Sequence, residues 1–434
     1  MASWLDHYRN PITVVLAEPP RANASRPRYI CYTPTTTVGG DVMMIRALAL
    51  VVIVAAVAMV SSACTSSGDG GNSDSRWLDL LARIPDTPDT RQFVVMNDYA
   101  KLRELLGVPR PPDDADEAAL VDYLLNLSSV DGELGRETGI IPADILGVNR
   151  FPTGFAETRT ELGFTLADFD QDARSYAEDP EFLYTVVYGR FDQRTIDDAV
   201  RSDPSYSGLL EQKSYSGVDY YTWGEDFAVE VGPLTAARRL GRGHRLALLD
   251  GYLYWTISTP GMEALTDAGQ GNRASLADVA EFRTLATTFD AIDTYTAFFS
   301  DETKVFNDET AARIRCGEGC SAVQYQVLLD EVQQQPHLRA FSAFATGVGM
   351  DADGFYIAIV TLHSTDADAD GSIEPLEQRI ATTDTLYSAE PWSDVFTSVE
   401  IWSEGRLMFA KLYTEQTRLW LTLPTLQDSL LLHE

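Results

Sequence analysis

Apolar residues recur at helical spacing through the segment from 76 to 150. Three stretches, 77–81, 99–106 and 119–127, place apolar side chains at positions i, i+3 and i+4. That spacing puts the side chains on one side of a helix, where they form a stripe that packs against a core. A Pro-Pro-Asp-Asp run at 111–114 separates the last two stretches. The pattern predicts a mainly helical segment.

From residue 182 the pattern becomes that of strands joined by tight turns. Strands are predicted over 182–191, 215–223 and 244–258, and helices over 192–202, 261–267 and 275–289. The Asp250-Gly251 pair inside the third strand is typical of the two-residue turn of a β-hairpin. This part of the chain is therefore predicted to mix helices with antiparallel strands.

A similar order recurs near the C-terminus. Strands are predicted over 341–350 and 355–364, a helix over 374–383 and a hairpin over 396–414. In both regions a strand is followed by a helix, a second strand and a hairpin turn. The first copy runs from FLYTVVYGRF to LDGYLYW and the second from FYIAIVTLHS to SEGRLMF, which favours a duplicated β-α-β-β unit. The identity between the two copies is thin, so the duplication is a hypothesis.

These elements predict an α+β fold in which antiparallel sheets are faced by helices on one side. The chain has 434 residues, enough for more than one domain. We expect residues 76–305 to form a helical subdomain plus a first α+β domain. Residues 306–434 would form a second α+β domain.

Residues 43–63 have the layout of a secretory signal peptide. Arg46 supplies a positive charge, 47–60 is an unbroken apolar run, and small residues precede Cys64. The run is shorter than the about 20 apolar residues of a membrane-spanning helix. The end of the segment resembles the lipobox of bacterial lipoproteins, although Ser61 stands where Leu, Val or Ile is usual. We predict that Cys64 is lipidated; simple cleavage and an uncleaved anchor helix are the alternatives.

The residues on either side of this signal have different roles. Residues 1–42 lack an apolar period and are predicted to lie upstream of the true start, outside the mature protein; a cytoplasmic tail is the alternative. Residues 64–75 combine the lipidated Cys with a flexible tether of Gly, Ser and Asp. Two acyl chains on one Cys give lasting membrane attachment. The body would then be anchored to the bacterial cell membrane, outside the cytoplasm.

The chain resembles bacterial lipoproteins of unassigned activity, in which a lipobox precedes a mixed α/β body. The resemblance rests on residues 44–64 and on the phrases VVYGRFDQRTIDDAV, YSGVDYYTWG and LALLDGYLYWTIS. It implies an envelope location and the same fold class, and it implies no activity.

Charge narrows the possible partners. The net charge is −32, and the first 63 residues carry five Arg against three acidic residues, so the remainder carries −34. Such a surface repels nucleic acid, whose binding depends on Lys and Arg that neutralise phosphate. We therefore expect a membrane attached through the lipid, an unknown protein or small-molecule partner, and no nucleic acid.

The Asp-rich segment 366–377 matches the calcium loop of an EF-hand. Carboxylates at loop positions 1, 3, 5 and 12 converge on one cation, and Gly371 stands at position 6. The candidate Ca²⁺ ligands are Asp366, Asp368, Asp370, Ser372, Glu374 and Glu377. The alternative is a solvated acidic loop that complements the N-terminus of the next helix.

Cys316 and Cys320 are the two cysteines that follow Cys64. Outside the cytoplasm they are predicted to form a small disulfide, because the two glycines of CGEGC permit a tight loop. Free thiols and a redox or metal role are the alternatives.

No pattern of nucleophile and base in the sequence identifies an enzyme. We therefore expect a membrane-anchored envelope lipoprotein with a non-enzymatic binding or organising role. A solute-binding lipoprotein of a transporter is one alternative, which predicts parallel βαβ repeats and a hinge. An envelope hydrolase that uses carboxylates is the other.

Overall fold

The computed structural model describes residues 75–128, 137–141, 155–175, 183–206, 208–227, 243–317, 319–385, 389–426 and 429–434. The predicted signal peptide, Cys64 and nearly all of the predicted tether lie outside these residues. Residues 73–434 form one compact unit. None of the helices in the described ranges is long and apolar enough to cross a membrane.

The described residues contain twelve helices and twelve strands. The helices are α1 (Arg76–Leu81), α2 (Tyr99–Leu106), α3 (Glu117–Ser128), α4 (Phe155–Leu162), α5 (Gln193–Ser202), α6 (Thr259–Gly269), α7 (Ala280–Ala291), α8 (Asp308–Cys316), α9 (Ala322–Val332), α10 (Asp366–Thr382), α11 (Trp392–Val395) and α12 (Leu419–Thr425). The strands are β1 (Val94–Asp98), β2 (Phe169–Ser175), β3 (Tyr184–Gly189), β4 (Leu210–Tyr215), β5 (Val218–Trp223), β6 (His244–Leu249), β7 (Tyr252–Thr256), β8 (Thr296–Ser300), β9 (Phe341–Asp351), β10 (Gly354–His363), β11 (Ser398–Glu404) and β12 (Leu407–Tyr413).

All twelve strands form one antiparallel sheet. Their order is β11-β12-β10-β9-β8-β1-β2-β3-β7-β6-β5-β4. This confirms the α+β fold with antiparallel strands. The boundary expected near residue 305 falls between β8 and β9, which are hydrogen-bonded neighbours in the sheet.

Successive residues of a strand enter two separate hydrophobic clusters, one on each face of the sheet. In β1, Val95 belongs to one cluster, whereas Val94 and Met96 belong to the other. The Val95 side, here called the α10 face, is covered by α2–α5 and α10–α12. The Val94 side, here called the α1 face, is covered by α1, α6 and α7. The expectation of helices on one side is therefore wrong, because both faces of the inner strands are apolar.

The sheet is built from two halves with the same strand order. Counted outward from the centre, one half runs β1-β2-β3-β7-β6 and the other runs β8-β9-β10-β12-β11. In each half, a helix on the α10 face follows the third strand: α5 in the first half and α10 in the second. The first half adds the β4-β5 hairpin at its outer edge. Strand order therefore agrees with the duplicated unit inferred from sequence, and extends it by two strands in each copy, β1-β2 in the first and β8-β9 in the second.

The two halves meet where β1 pairs with β8. The register sets Val94 opposite Phe299 and Asn97 opposite Thr296. Because the two strands are antiparallel and equivalent, the halves are related by an approximate two-fold rotation about an axis normal to the sheet. Neither central strand was predicted: β1 lies in the segment expected to be helical.

Three hairpins fall at or within one residue of the expected turns, whereas the β4-β5 hairpin turns at 216–217, inside the single strand predicted over 215–223. The β6-β7 turn has Asp250 at φ 53° and Gly251 at φ 80°. A two-residue turn with both φ values positive matches the right-handed twist of the strands it joins. Asp and Gly tolerate that conformation better than most residues, which is why the pair predicted the turn.

Candidate functional site

The Asp-rich segment 366–377 is helical, not a loop. It forms most of α10, which begins after Thr365, whose hydroxyl accepts a hydrogen bond from the backbone N–H of Asp368 at 3.1 Å. Acidic residues in the first turn complement the positive end of the helix dipole. The acidic residues Asp366 and Asp368 therefore lie where the alternative interpretation puts them, at the N-terminus of a helix.

The helix also spreads the six candidate ligands over about 17 Å of its axis, since each residue rises about 1.5 Å, so they do not surround one point. Ser372 is buried and its hydroxyl donates to the carbonyl of Asp368 at 2.9 Å, while Asp370 accepts a hydrogen bond from Ser403. Within the described ranges, no group of three or more His, Cys, Asp or Glu could hold a metal ion. The loop predicted over 366–377 is thus wrong, and this geometry gives the calcium hypothesis no support.

A disulfide joins Cys316 to Cys320, with their Cα atoms 5.4 Å apart. It closes the turn between α8 and α9, so the two helices form a stapled hairpin, here called the helical hairpin. Arg315 lies 3.6 Å from Glu331 across it. Asp308, in the first turn of α8, lies 2.7 Å from His337, which follows α9. These contacts tie the hairpin together at both ends.

The helical hairpin is only lightly buried. Its own small cluster consists of Ala311, Ala312, Val332 and Leu432. On the outer side of α9, Val323 is 75% exposed and Val327 is 53% exposed. The hairpin therefore stands away from the sheet and leaves space beside it.

That space is a groove of about 390 Å³, here called the hairpin groove. It lies between the helical hairpin and the C-terminal end of α10. Its lining residues come from α8, α9, the turn before β9 and the segment after α10; they are Ala311, Arg315, Val332, Gln334, Gln335, Pro336, Thr382, Thr383, Asp384, Thr385 and Ala389. The volume lies within the about 300–1,000 Å³ range of small-molecule sites.

A buried arginine holds one wall of the groove in place. Arg379, in the last turn of α10, is fully buried, and its guanidinium donates to the carbonyl of Pro336 at 2.5 Å and to Gln335 at 3.4 Å. Its own carbonyl accepts from the N–H of Thr383 at 2.9 Å and from the Thr383 hydroxyl at 2.8 Å. One residue thereby fixes the turn before β9 against the end of α10.

The lining chemistry is that of a hydrogen-bonding site. Amides and hydroxyls predominate, with one positive group, Arg315, and one negative group, Asp384. Most of these groups also have partners within the protein, as Arg315 has in Glu331, so a polar ligand would use the donors and acceptors that remain. Among the sequence signals, Cys316 follows the lining residue Arg315, but Gln334, Arg379 and Thr383 carried no local signal.

A second polar cluster lies buried at the centre of the sheet on the α10 face. The Asp172 carboxylate accepts from the Asn97 amide at 2.7 Å and from the Tyr99 hydroxyl at 2.5 Å. The Asn97 amide and the Arg174 guanidinium both donate to the carbonyl of Ile141, at 2.9 and 2.6 Å. The cluster thus fastens the segment 137–141 across the middle strands.

Three further side chains pin the same segment. The hydroxyl of Tyr295 donates to the carbonyl of Thr138 at 2.5 Å, and the indole N–H of Trp420 donates to that of Gly139 at 2.7 Å. Thr417 donates to the carbonyl of Glu137 at 2.5 Å. Burial raises the pKa of Tyr295 well above its ordinary value, so the phenol stays protonated and remains a donor. Together these bonds hold the segment 137–141 against the middle strands, which makes the cluster a structural clamp.

Comparison with known proteins adds little. No family model matches the chain, and no curated protein matches it significantly. Crystal form I of TP0453 aligns with 8% identity over 80% of this chain and 96% of that one, at a TM-score of 0.34. Crystal form III gives 8% identity over 82% and 99%, at 0.35, and form IV gives 9% over 80% and 99%, at 0.34. Likenesses at this level carry no argument about function.

Proposed function

We propose that this protein is an exported, lipid-anchored binding protein of the bacterial envelope, and that its ligand occupies the hairpin groove. The groove itself carries the proposal: about 390 Å³ lined by amides, hydroxyls and one charge of each sign. Such a lining suits a small polar ligand or a short peptide segment. A transporter's solute-binding lipoprotein is less favoured, because the described sheet is antiparallel and not built from parallel repeats.

The position of the body's first helix supports the tethered arrangement. Trp77, Leu80 and Leu81 of α1 are fully buried, so ordered packing begins just after the predicted tether ends. Ser75 caps α1 by accepting from the N–H of Leu78 at 3.3 Å. The ten residues between Cys64 and Ser75 span at most about 35 Å when extended. A body of this kind stays close to the membrane while remaining free to turn.

The anchoring proposal is tested on the full chain in its native host. We expect mature protein to carry acyl mass on Cys64, and Cys64→Ala to accumulate as an unprocessed precursor. A Cys64→Ala protein that matures normally, or a wild-type protein that retains Met43 and lacks acyl mass, would contradict the anchor.

The groove proposal is tested by a screen of polar metabolites and short peptides, read by thermal shift on the mature chain. A ligand that binds the folded state raises the melting temperature by mass action. We expect Arg315→Gln and Thr383→Val to remove the shift. Arg313→Gln is the matched control, because Arg313 lies on α8 but does not line the groove. Hits whose shifts survive both groove variants would place the binding elsewhere.

A further inference from the structure

The two outer strands of the sheet differ in how they are protected. The β4 edge reads LEQKSY and carries Lys213, and an exposed Lys discourages a second strand from pairing there. The β11 edge reads SVEIWSE and has no Lys, Arg or Pro. All seven residues of β11 pair with β12 without a bulge. It is therefore a regular edge without the Lys, Pro or bulge that commonly discourage strand addition.

The β11 edge presents apolar side chains on the α10 face and mainly acidic ones on the α1 face. Val399 is 39% exposed, and Ile401 beside it is half-buried. On the other face, Trp402 stacks on Phe409 with ring centroids 4.9 Å apart. Glu400 and Glu404 flank Trp402 on that face. An added strand would find apolar contacts on one side and negative charge on the other.

The outward backbone of β11 is open in the described part of the chain. No backbone hydrogen bond or isolated bridge there joins residues 398–404 to any segment other than β12. An extended segment could therefore pair along it, as in β-strand addition, with main-chain hydrogen bonds for affinity and alternate side chains for specificity.

The Asp-rich start of α10 adds to the negative charge at this edge. Asp370 accepts a hydrogen bond from Ser403 of β11, and a Cβ placed on Gly405 would lie 3.9 Å from Asp366. Both faces of the strand are thus bordered by carboxylates. The neighbouring cations are Arg406 in the turn and Lys411, which stands opposite Glu400 on β12 and is paired with Asp351 at 2.9 Å. Charge complementarity favours a basic partner.

We propose that β11 accepts a thirteenth strand from a partner protein, an extended segment in which Lys or Arg alternates with apolar residues. A second copy of this chain is a poor occupant. If two copies paired their β11 strands about a two-fold axis, Glu400 of one copy would lie opposite, or diagonal to, Glu400 or Glu404 of the other. Each chain also carries a net charge of −32. Like charges opposed on a sheet are destabilising. This surface is independent of the hairpin groove.

The probe is an acetylated, amidated octapeptide of alternating Lys and Val, added to the full chain at low salt. Its control has Pro in place of one central Val, which keeps the charge but removes a strand donor. We expect the Lys-Val peptide to bind at least about tenfold more tightly. We also expect it to slow hydrogen exchange of β11 amides. Equal binding of the two peptides, or protection at β4 alone, would overturn the proposal.

Variants separate strand addition from general attraction to an acidic surface. Glu400→Gln with Glu404→Gln should weaken the Lys-Val peptide by about tenfold and reduce the salt dependence. Val399→Lys should abolish binding while the melting temperature stays within about 2 °C of wild type. Glu211→Gln on β4 is the matched control and should leave binding unchanged. The proposal would be refuted if Glu211→Gln weakened peptide binding as much as the β11 variants do. It would also be refuted if the protein self-associated and Val399→Lys abolished that self-association.

Discussion

The helical segments that link the first two strands of each half occupy equivalent places but are used differently. Between β1 and β2, helices α2–α4 bury large side chains against the α10 face: Tyr99, Leu102, Leu120, Tyr123, Leu124, Leu127 and Leu162. Between β8 and β9, helices α8 and α9 bury two alanines and one valine. The first segment completes the core, whereas the second leaves a groove and is closed by a disulfide. A duplicated fold can thus keep one copy for stability and leave the equivalent part of the other to form the groove proposed as the binding site.

The largest difference should appear when one apolar side chain is shortened in each segment. Leu102→Ala in α2 removes a fully buried side chain, and we expect it to cost about 2–5 kcal/mol of unfolding free energy. Val327→Ala in α9 shortens a side chain that is 53% exposed and should change stability by at most about 0.5 kcal/mol. Urea unfolding measures both. Comparable losses would show that the helical hairpin is as much part of the core as α2.

The next comparison uses the arginines in the last turns of the equivalent helices α5 and α10. Arg379→Met leaves the Pro336 carbonyl without its buried donor, so we expect a loss of about 1–3 kcal/mol. Arg201 is exposed, donates to Gln212 and lies over the Tyr221 ring. Arg201→Met should therefore cost about 1 kcal/mol or less. If Arg201→Met cost more unfolding free energy than Arg379→Met, the structurally important arginine would be the one in the first half.

Removing the disulfide should have a smaller effect. Its loop spans only five residues, so the constraint on the unfolded chain is worth about 2 kcal/mol at most in the chain-entropy model. Cys316→Ser with Cys320→Ser should leave the sheet intact while hydrogen exchange in α8 and α9 quickens. Faster exchange in α2 or α3 would mean that the hairpin supports the core of the first half.

The smallest expected effect is a pH dependence that originates in the second half. His363 at the end of β10 is fully buried, with Thr361 2.8 Å from Nε2 and the Ala340 carbonyl 3.1 Å from Nδ1. Burial lowers the pKa of His363 from its ordinary value of 6.5. The unfolded chain therefore binds a proton that the folded chain does not, and stability falls as the pH drops below about 6.5 toward the folded pKa.

The test compares thermal unfolding of wild type and His363→Gln between pH 7 and pH 5. We expect the variant to lose less stability across this range, although it starts from a lower value. Parallel curves would assign the acid sensitivity to other groups.

Three turns and most of the outer strands were predictable, but the edge strand β4 and the centre of the sheet were not. Asp250-Gly251 and Asp353-Gly354 each mark a turn whose chemistry is local, and the strands beside them are strongly apolar. β2 reads FDQDARS, and its buried Asp172 and Arg174 hide the alternation that would indicate a strand. Those polar residues are buried because Asn97, Tyr99 and the carbonyl of Ile141 are their partners, and such partners are set only by the tertiary fold.

The candidate site shows the same limit in a different form. The spacing of Cys316 and Cys320 predicted a small loop disulfide, and the structure places the two residues at the tip of the helical hairpin. The segment expected as a loop over 366–377 is helical, because acidic residues also suit the first turn of a helix, here capped by Thr365. The groove depends on Arg379 reaching a turn more than forty positions earlier in the chain, which no local pattern reveals.

The pairing of β1 with β8 has a consequence for the kinetics of folding. Val94 pairs with Phe299, so the middle of the sheet joins strands some two hundred positions apart in the chain. Such distant contacts require a large loop to close first, and folding rates fall as contacts become more distant in sequence. During N-to-C emergence, β1 must wait with one edge unpaired until β8 arrives, and the two halves cannot dock before then. Refolding should therefore show a slow phase in which Met96 and Ala297 amides are the last to be protected, and that interval is when the chain is most open to aggregation.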